Sequence, residues 1–203
     1  MENSQAAAVD KLSNALWTRD FFLICFVNFS MFLGLQLLLP TIPVFVVHLG
    51  GLETDVGIVM AIFTVSAMLA RPLAGLLSDT RGRQGVLIVG LVIFIIAVAG
   101  YNWSTGIAAL LAIRFLHGLG WGLCTTASGT IAADTIPLPR MGEGMGYFSL
   151  ATAFSMAIAP AAGIYFITNL SFTHLFFTSA ALAIAALILS LTISYRKVEH
   201  TTV

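Results

Sequence analysis

Six long apolar runs divide this chain and set the strongest limit on its fold. A bilayer core of about 30 Å is crossed by roughly 20 apolar residues of helix. The runs cover approximately residues 21–47, 56–78, 86–103, 107–133, 145–168 and 172–194, and Pro40 and Pro43 predict a bend or an early exit near the end of the first. Strands of a membrane barrel alternate over about ten residues, whereas these runs are continuous. The sequence therefore predicts an all-α membrane protein with six transmembrane helices.

The composition fits a hydrocarbon solvent. Hydrophobic residues make up 59% of the chain and charged residues 9%, against about 45–50% and about 25% in soluble domains. Lys and Arg together number 9, as do Asp and Glu, so the basic surplus of a nucleic-acid partner is missing. Cys25 and Cys124 lie inside apolar runs and are expected to pack rather than to bind a metal. The surface partner is thus the lipid bilayer, and no metal or other cofactor is expected.

The basic residues outside the runs predict the orientation. With the amino terminus inside, the cytoplasmic segments hold seven basic residues and the outer connectors none. Because Lys and Arg are retained on the cytoplasmic side, we expect cytoplasmic tails at 1–20 and 196–203 around a bundle at 21–195, in the cell membrane. The seven residues are Lys11, Arg19, Arg81, Arg83, Arg140, Arg196 and Lys197.

The two remaining basic residues, Arg71 and Arg114, lie inside apolar runs. Arg114 is about 12 Å from the outer end of its run at helical rise. A charged side chain near the bilayer centre costs at least about 2.5 kcal/mol on insertion scales. Carriers driven by protons often keep a carboxylate at the midplane, and the runs of this chain contain none there. Both arginines are therefore candidates for a functional role.

A weak internal repeat runs through the sequence. Pro72 and Gly75 in the second run recur as Pro160 and Gly163 in the fifth, and the tripeptide Thr-Ile-Pro at 41–43 recurs at 135–137. The first run then corresponds to the fourth and the second to the fifth. Since each unit holds three helices, the second unit is inverted in the membrane. This pattern predicts a 3+3 inverted repeat, as in many secondary transporters.

The loop after the second run carries a dense motif. Gly75, Asp79, Gly82 and Arg83 resemble the loop between helices two and three of the major facilitator superfamily, although Thr80 and Gln84 replace its usual basic residues. The resemblance implies one half of the twelve-helix fold of that family. It also implies that Asp79 and Arg83 form a charge network that locks the cytoplasmic helix ends in one conformational state.

The fourth run contains a second family motif. Arg114, His117 and Gly118 resemble a pattern in which an arginine is followed by glutamine and glycine, with His117 in the place of the glutamine. The resemblance implies that Arg114 serves coupling or substrate contact, and Arg71 is a further candidate for contact with an anionic group. His117 either relays a proton, since histidine titrates near neutral pH, or is a neutral side chain bonded to a helix carbonyl.

Polar residues of the first and fourth runs are candidates for lining a cavity. In the fourth run Arg114 shares one helical face with small and polar residues, and two polar residues lie on roughly one side of the first. Family members line their central cavity with these two helices. Hydrogen bonding between helices is the alternative explanation. The candidates are Asn28, Phe32, Gln36, Gly118, Trp121, Thr125 and Ser128.

The fifth run resembles the antiporter motif of the family through Pro160 and Gly163 alone, which are also expected to kink the helix. Residues 34–43, 71–72 and 134–146 resemble the drug:proton antiporter branch. The resemblance implies that the chain exports a small molecule by alternating access, with protons as the coupling ion, and is not an enzyme.

Two other functions are compatible with six helices. Rhomboid proteases pair a serine with a histidine of helix six, and Ser128 and His174 stand in comparable runs. Their depths in the membrane place them on the order of 25 Å apart, whereas a nucleophile and its base need about 3 Å. Since the working unit of the resembled family has two halves, we expect a second six-helix half or another copy as partner. The alternative is a truncated or split half that acts as a scaffold without transport.

Overall fold

The computed structural model describes residues 15–194, and in this range all regular structure is helical. Seven α-helices run in the order α1 (Arg19–Leu38), α2 (Ile42–His48), α3 (Glu53–Arg81), α4 (Arg83–Gly100), α5 (Ile107–Thr135), α6 (Met141–Asn169) and α7 (Phe172–Leu191). Short 3-10 helices occupy Tyr101–Trp103 and Leu138–Arg140. The predicted all-α class is confirmed. The predicted tail 196–203 and most of 1–20 lie outside the described residues.

Six helical segments of the described chain are long and apolar enough to cross a membrane. The first span is α1 with α2, and α3 to α7 form the second to the sixth. The helices differ from the predicted runs mainly at their ends: α3 begins three residues before 56 and ends three after 78, and α6 begins four before 145. Polar end residues such as Glu53 and Arg81 complete helical turns without being apolar, so hydropathy alone missed them.

The first apolar run is two helices rather than one. Pro40 has no N–H and cannot continue the hydrogen-bond ladder of α1. The Thr41 hydroxyl donates to the carbonyl oxygens of Leu37 at 3.1 Å and Leu38 at 3.0 Å. Because hydrocarbon offers no partner to a freed carbonyl, this side chain stabilises the interruption. The expected bend near Pro40 and Pro43 is therefore a true break.

The turn between α3 and α4 is a single residue, Gly82, with a φ of 88°. Residues with a Cβ rarely adopt this left-handed region, and glycine does so readily. The turn reverses the chain direction within the loop motif and brings Arg83 to the first position of α4.

The packing divides the helices into two groups. Helix α5 packs chiefly on α3 and α4, and α1 packs chiefly on α6 and α7. The groups meet where α4 contacts α7 and α1 contacts α5. Spans one to three can be exchanged in order with spans four to six. Each of these contacts then corresponds to another of them or to itself. The arrangement is consistent with the predicted 3+3 inverted repeat.

Glycines of α5 allow its backbone to approach the backbones of α3 and α4 closely. A Cβ on Gly118 would overlap the Ser66 Oγ atom and a backbone carbonyl of α3, and one on Gly122 would lie 2.5 Å from the Ala67 carbonyl oxygen. On the other face of α5, a Cβ on Gly120 would lie 2.8 Å from the Phe94 nitrogen of α4. Helices in lipid associate through this kind of close van der Waals contact. Helix α5 is thus held between α3 and α4.

The first and fifth spans meet in a similar way. A Cβ on Gly163 of α6 would overlap the Leu37 carbonyl oxygen of α1, whereas one on Gly75 of α3 would meet nothing. Gly75 and Gly163 therefore correspond in the sequence repeat but do not make corresponding contacts. Pro72 and Pro160 both lie inside uninterrupted helices, so the kink at Pro160 stays a prediction.

The close approach of α5 to α3 predicts different effects for two substitutions in α5. Gly118→Ala should destabilise the protein by about 1–3 kcal/mol, because the new methyl group overlaps α3. Gly129→Ala is the matched control, since a Cβ there meets nothing and alanine favours helix by up to about 1 kcal/mol. The measurement is the melting temperature of each variant in detergent. Equal melting temperatures would contradict the packing described here.

Candidate functional site

The largest side chain that the fold buries completely is a cation. Arg114 lies in α5 with no exposed surface. Its guanidinium carbon is 4.7 Å from the centre of the Phe63 ring, its Nη2 donates to the Met60 sulfur at 3.1 Å, and its Nη1 donates to the Tyr101 hydroxyl at 3.4 Å. These contacts come from α3 and from the 3-10 turn that follows α4. Within residues 15–194 none of the hydrogen bonds or ion pairs of Arg114 involves a carboxylate.

His117 lies one turn further along α5 and is also fully buried. Its Nδ1 atom is 2.8 Å from the Tyr101 hydroxyl oxygen. The rings of Phe94 and Phe63 pack edge-on against the imidazole, with centroid distances of 4.4 and 5.1 Å. The predicted bond of His117 to a helix carbonyl is absent; the tyrosine hydroxyl takes its place.

The three side chains form a directed hydrogen-bond chain. The guanidinium of Arg114 has only donors, so the Tyr101 oxygen accepts from it, and we assign the hydroxyl proton to the bond with His117 Nδ1, 2.8 Å away. A neutral imidazole that accepts at Nδ1 carries its proton on Nε2. Arg114 Nε and His117 Nε2 are both buried, and neither has a hydrogen-bond partner among residues 15–194. The cluster therefore presents two buried N–H donors with no acceptor.

The sequence did not indicate Tyr101 as a member of this cluster. A tyrosine at the outer end of an apolar run is typical of the aromatic belt at the membrane interface. Tyr101 is instead completely buried, in the 3-10 turn that follows α4. The only signal in the sequence was indirect: two buried donors in the fourth run required acceptors, and the described apolar helices offer few.

Three of the predicted cavity residues come together. Asn28, Phe32 and Thr125 line a cavity of about 300 Å³ between α1, α5 and α6. The Asn28 Nδ2 atom donates to the Thr152 hydroxyl at 2.8 Å and to the Phe148 carbonyl at 3.3 Å. This asparagine thus both joins α1 to α6 and borders the cavity, so the two predicted roles are combined. The sequence analysis did not name the α6 residues of this wall.

The other predicted cavity residues occupy different positions. Trp121 packs against the Phe32 ring at 4.7 Å between centroids. Ser128 is buried and bonds to the Thr125 carbonyl of its own helix. Gln36 is buried and makes no side-chain hydrogen bond with the described residues. The placement of Gly118 on the cavity wall was wrong, because its face is filled by α3.

The loop motif between α3 and α4 forms an ion pair, with a different acid from the one expected. Arg83 pairs with Asp134, which joins the start of α4 to the end of α5. Asp79 is exposed, and its side chain makes no hydrogen bond or ion pair with residues 15–194. Arg83 therefore pairs with Asp134 rather than with the predicted partner, Asp79. The locking role of Gly75, Asp79, Gly82 and Arg83 stays a prediction.

The remaining candidates are dispersed. Arg71 is exposed on α3 and makes no side-chain hydrogen bond or ion pair within the described chain. The histidine and serine of the protease hypothesis bond elsewhere: His174 to Ser171 at 2.8 Å, and Ser128 within α5. The two side chains are therefore not assembled into a catalytic pair in this structure.

Comparison with known sequences finds one family and several relatives. The family model described as Major Facilitator Superfamily matches residues 24–202. The Quinolone resistance protein NorA of Staphylococcus aureus is 28% identical over 188 residues, which are 91% of this chain and 47% of the relative. Multidrug resistance protein 2 of Bacillus subtilis is 31% identical over 164 residues, 80% of this chain and 40% of the relative. The chain spans about half the length of these curated relatives.

Solved structures share the fold. The human organic anion transporter MFSD10 (TETRAN) aligns with a TM-score of 0.70 and 22% identity, over 87% of this chain and 47% of that chain. A POT family transporter in complex with 5-aminolevulinic acid aligns with a TM-score of 0.74 and 20% identity, over 88% of this chain and 39% of that chain. At these identities the likeness concerns the fold of the six helices.

The hydrogen-bond chain predicts that Tyr101→Phe destabilises the protein. Without the hydroxyl, Arg114 and His117 each lose a buried partner, at an expected cost of about 1–3 kcal/mol. Tyr165→Phe is the matched control, because Tyr165 is exposed and its hydroxyl makes no hydrogen bond with the described residues. The measurement is unfolding of the detergent-solubilised protein, followed by intrinsic fluorescence. Equal stability of the two variants would show that the hydroxyl is not needed.

Proposed function

The chain belongs to the major facilitator superfamily, and from this membership we propose that it forms the amino-terminal six-helix half of a secondary transporter that exports a small molecule. The observation that carries the proposal is the Arg114 cluster. Two buried N–H donors and a guanidinium without a carboxylate are costly in hydrocarbon. Such a cost is retained where an ion or substrate is handled.

The arrangement of donors and cavity supports a transport function. The 300 Å³ cavity of α1, α5 and α6 forms one wall of a substrate path, and the complementary half supplies the other. The donors of Arg114 and His117 are fully buried in this conformation, so an acceptor group of the substrate, or a carboxylate of the complementary half, binds them in turn only when alternating access opens the space between α3 and α5. Proton antiport results when that carboxylate releases Arg114 upon protonation. The midplane of this chain has no acid that serves the purpose.

Drug-like compounds are the proposed substrates. The relatives at 28% and 31% identity are named for quinolone resistance and multidrug resistance. The described wall of the cavity combines aromatic and aliphatic side chains with an amide and hydroxyls, a lining that suits apolar molecules with few polar groups. In the plasma membrane, and with the orientation that the basic residues predict, outward transport removes the compound from the cell.

Substitutions of Arg114 and His117 test the role of each side chain separately. Arg114→Gln should abolish quinolone efflux. His117→Gln should retain efflux, because a glutamine amide also offers a donor, whereas His117→Ala should lose most of it. The measurement is quinolone efflux by the assembled carrier in membrane vesicles, with and without an imposed pH gradient. Efflux by His117→Gln that no longer responds to the gradient would identify His117 as the proton carrier and overturn its role as a fixed donor.

The cytoplasmic motif gives a second test. Asp79→Asn should abolish transport and leave the melting temperature unchanged, because Asp79 has no partner among the described residues. Asp134→Asn should lower the melting temperature, because it removes the ion pair with Arg83. Membrane insertion of both variants is checked by protease protection. Unchanged flux in Asp79→Asn would remove the locking role of the loop.

A half without transport activity of its own is the second candidate function. The buried donors of Arg114 and His117, which the described residues of this half leave without an acceptor, favour it. Vesicles that contain residues 1–203 together with the complementary half distinguish the two functions: efflux by the pair would support the first candidate, and association of the two halves without efflux would support the second.

A further inference from the structure

Arg71 is a cation on the exposed surface of a helix, deep in the apolar layer. Helix α3 has 29 residues, Glu53–Arg81, and Arg71 lies four residues past its middle, or about 6 Å. Its side chain is exposed and has no hydrogen-bond or ion-pair partner in the described part of the chain. In contact with lipid tails it would cost at least about 2.5 kcal/mol. The protein as it functions must therefore cover Arg71.

Extension of the Arg71 side chain toward the lipid headgroups does not remove this cost. Helix α3 is about 43 Å long and the hydrocarbon layer about 30 Å thick, so about 9 Å of hydrocarbon remain between Arg71 and the nearer headgroups. Side chains in a helix lean toward its amino terminus, and for Arg71 this direction leads toward the middle of α3. A guanidinium that bends toward Arg81 must reverse this direction and still span the remaining hydrocarbon.

The exposed face of α3 is continuous across Pro72, and its two edges form stripes of different chemistry. One stripe is aliphatic and suits lipid: Ile58, Val65, Leu69, Leu73 and Leu76. The stripe that contains Arg71 spans an arc of about 80° at 3.6 residues per turn, and small or polar residues dominate it: Gly57, Ala61, Thr64, Met68, Arg71 and Gly75. A Cβ on Gly57 or Gly75 meets nothing within this half. Small residues in a membrane helix allow another helix to approach closely.

No acid of this chain lies at the depth of Arg71. Each described acid lies in the first or last turn of its helix, and the nearest on the same helix is Asp79, about 12 Å away along the axis. A second copy of the chain, parallel or antiparallel, places its acids at the same membrane boundaries. The described acids are Asp20, Glu53, Asp55, Asp79, Asp134 and Glu143.

We propose that Arg71 forms an intramembrane ion pair with a carboxylate on a transmembrane helix of the complementary half, and that this half is not a copy of residues 1–203. The proposal rests on the proposed function, which calls for a complementary half on the same or another polypeptide. It adds the chemistry of that half: an Asp or Glu near the midplane, on the helix that packs against the Arg71 stripe. Self-pairing of this chain leaves Arg71 uncompensated.

Photo-cross-linking at two adjacent positions tests the surface. Benzoylphenylalanine replaces Met68 on the Arg71 stripe or Leu69 on the aliphatic stripe, in the full-length protein in its native membrane. We expect the Met68 position to cross-link to a peptide outside residues 1–203 that has an Asp or Glu within one helical turn of the adduct. The Leu69 position should yield lipid adducts. Adducts of Met68 with lipid alone, with another copy of this chain or with a helix that lacks an acid would overturn the proposal.

Charge exchange tests the ion pair. Arg71→Gln should reduce the Met68 cross-link by about tenfold or more, whereas Arg71→Lys, which keeps the charge, should retain most of it. Arg71→Asp combined with a basic residue at the identified acid should restore the cross-link. Arg81→Gln is the matched control, because Arg81 is exposed at the end of the helix. An unchanged yield in Arg71→Gln would show that no ion pair forms.

The cross-linking result can be distinguished from the test of the proposed function. Cross-linking reports association and needs no substrate. An intact Met68 adduct with its acid, in a protein that moves no quinolone, would support the ion pair and reject the proposed function. Quinolone efflux that is unaffected by Arg71→Gln, together with an unchanged adduct, would reject the ion pair and leave the proposed function standing.

Discussion

The rest of this structure depends on the close approach of α5 to α3 and α4. In lipid, apolar side chains gain little by leaving their solvent, so helices are held together by van der Waals contact and hydrogen bonds. Gly118 and Gly122 bring α5 against the backbone of α3, and Gly120 brings it against α4. This approach carries Arg114 and His117 into a space bounded by Phe63 and Phe94, and closes it to lipid. Without it, neither donor could be buried.

The polar groups divide into those that the half satisfies by itself and those that it does not. The break at Pro40 is capped by Thr41, Asn28 is bonded across to α6, and Arg83 is paired with Asp134. By contrast Arg114 Nε and His117 Nε2 have no acceptor. The satisfied groups hold the six helices together, and the unsatisfied donors lie where we propose that substrate is handled.

Much of this could be predicted from sequence because the bilayer imposes simple rules. Run length predicted six spans, Pro40 predicted an interruption, and the family motifs predicted the fold. Properties that depend on how one helix is rotated against another could not be predicted. Gly118 shares a helical face with Arg114, and a helical pattern cannot tell a cavity from a neighbouring helix. The pairing of Arg83 with Asp134 and the burial of Tyr101 join segments far apart in the chain, for which local spacing holds no information.

The interruption of the first span has a mechanical consequence. Neither Pro40 nor Pro43 can donate to the hydrogen-bond ladder, and the Thr41 hydroxyl bonds only to carbonyls of α1. A rotation of α2 relative to α1 therefore breaks fewer backbone hydrogen bonds than bending an intact helix elsewhere in the span. The first span thus consists of the long helix α1 and the short helix α2, and the span has its lowest bending stiffness at the joint between them.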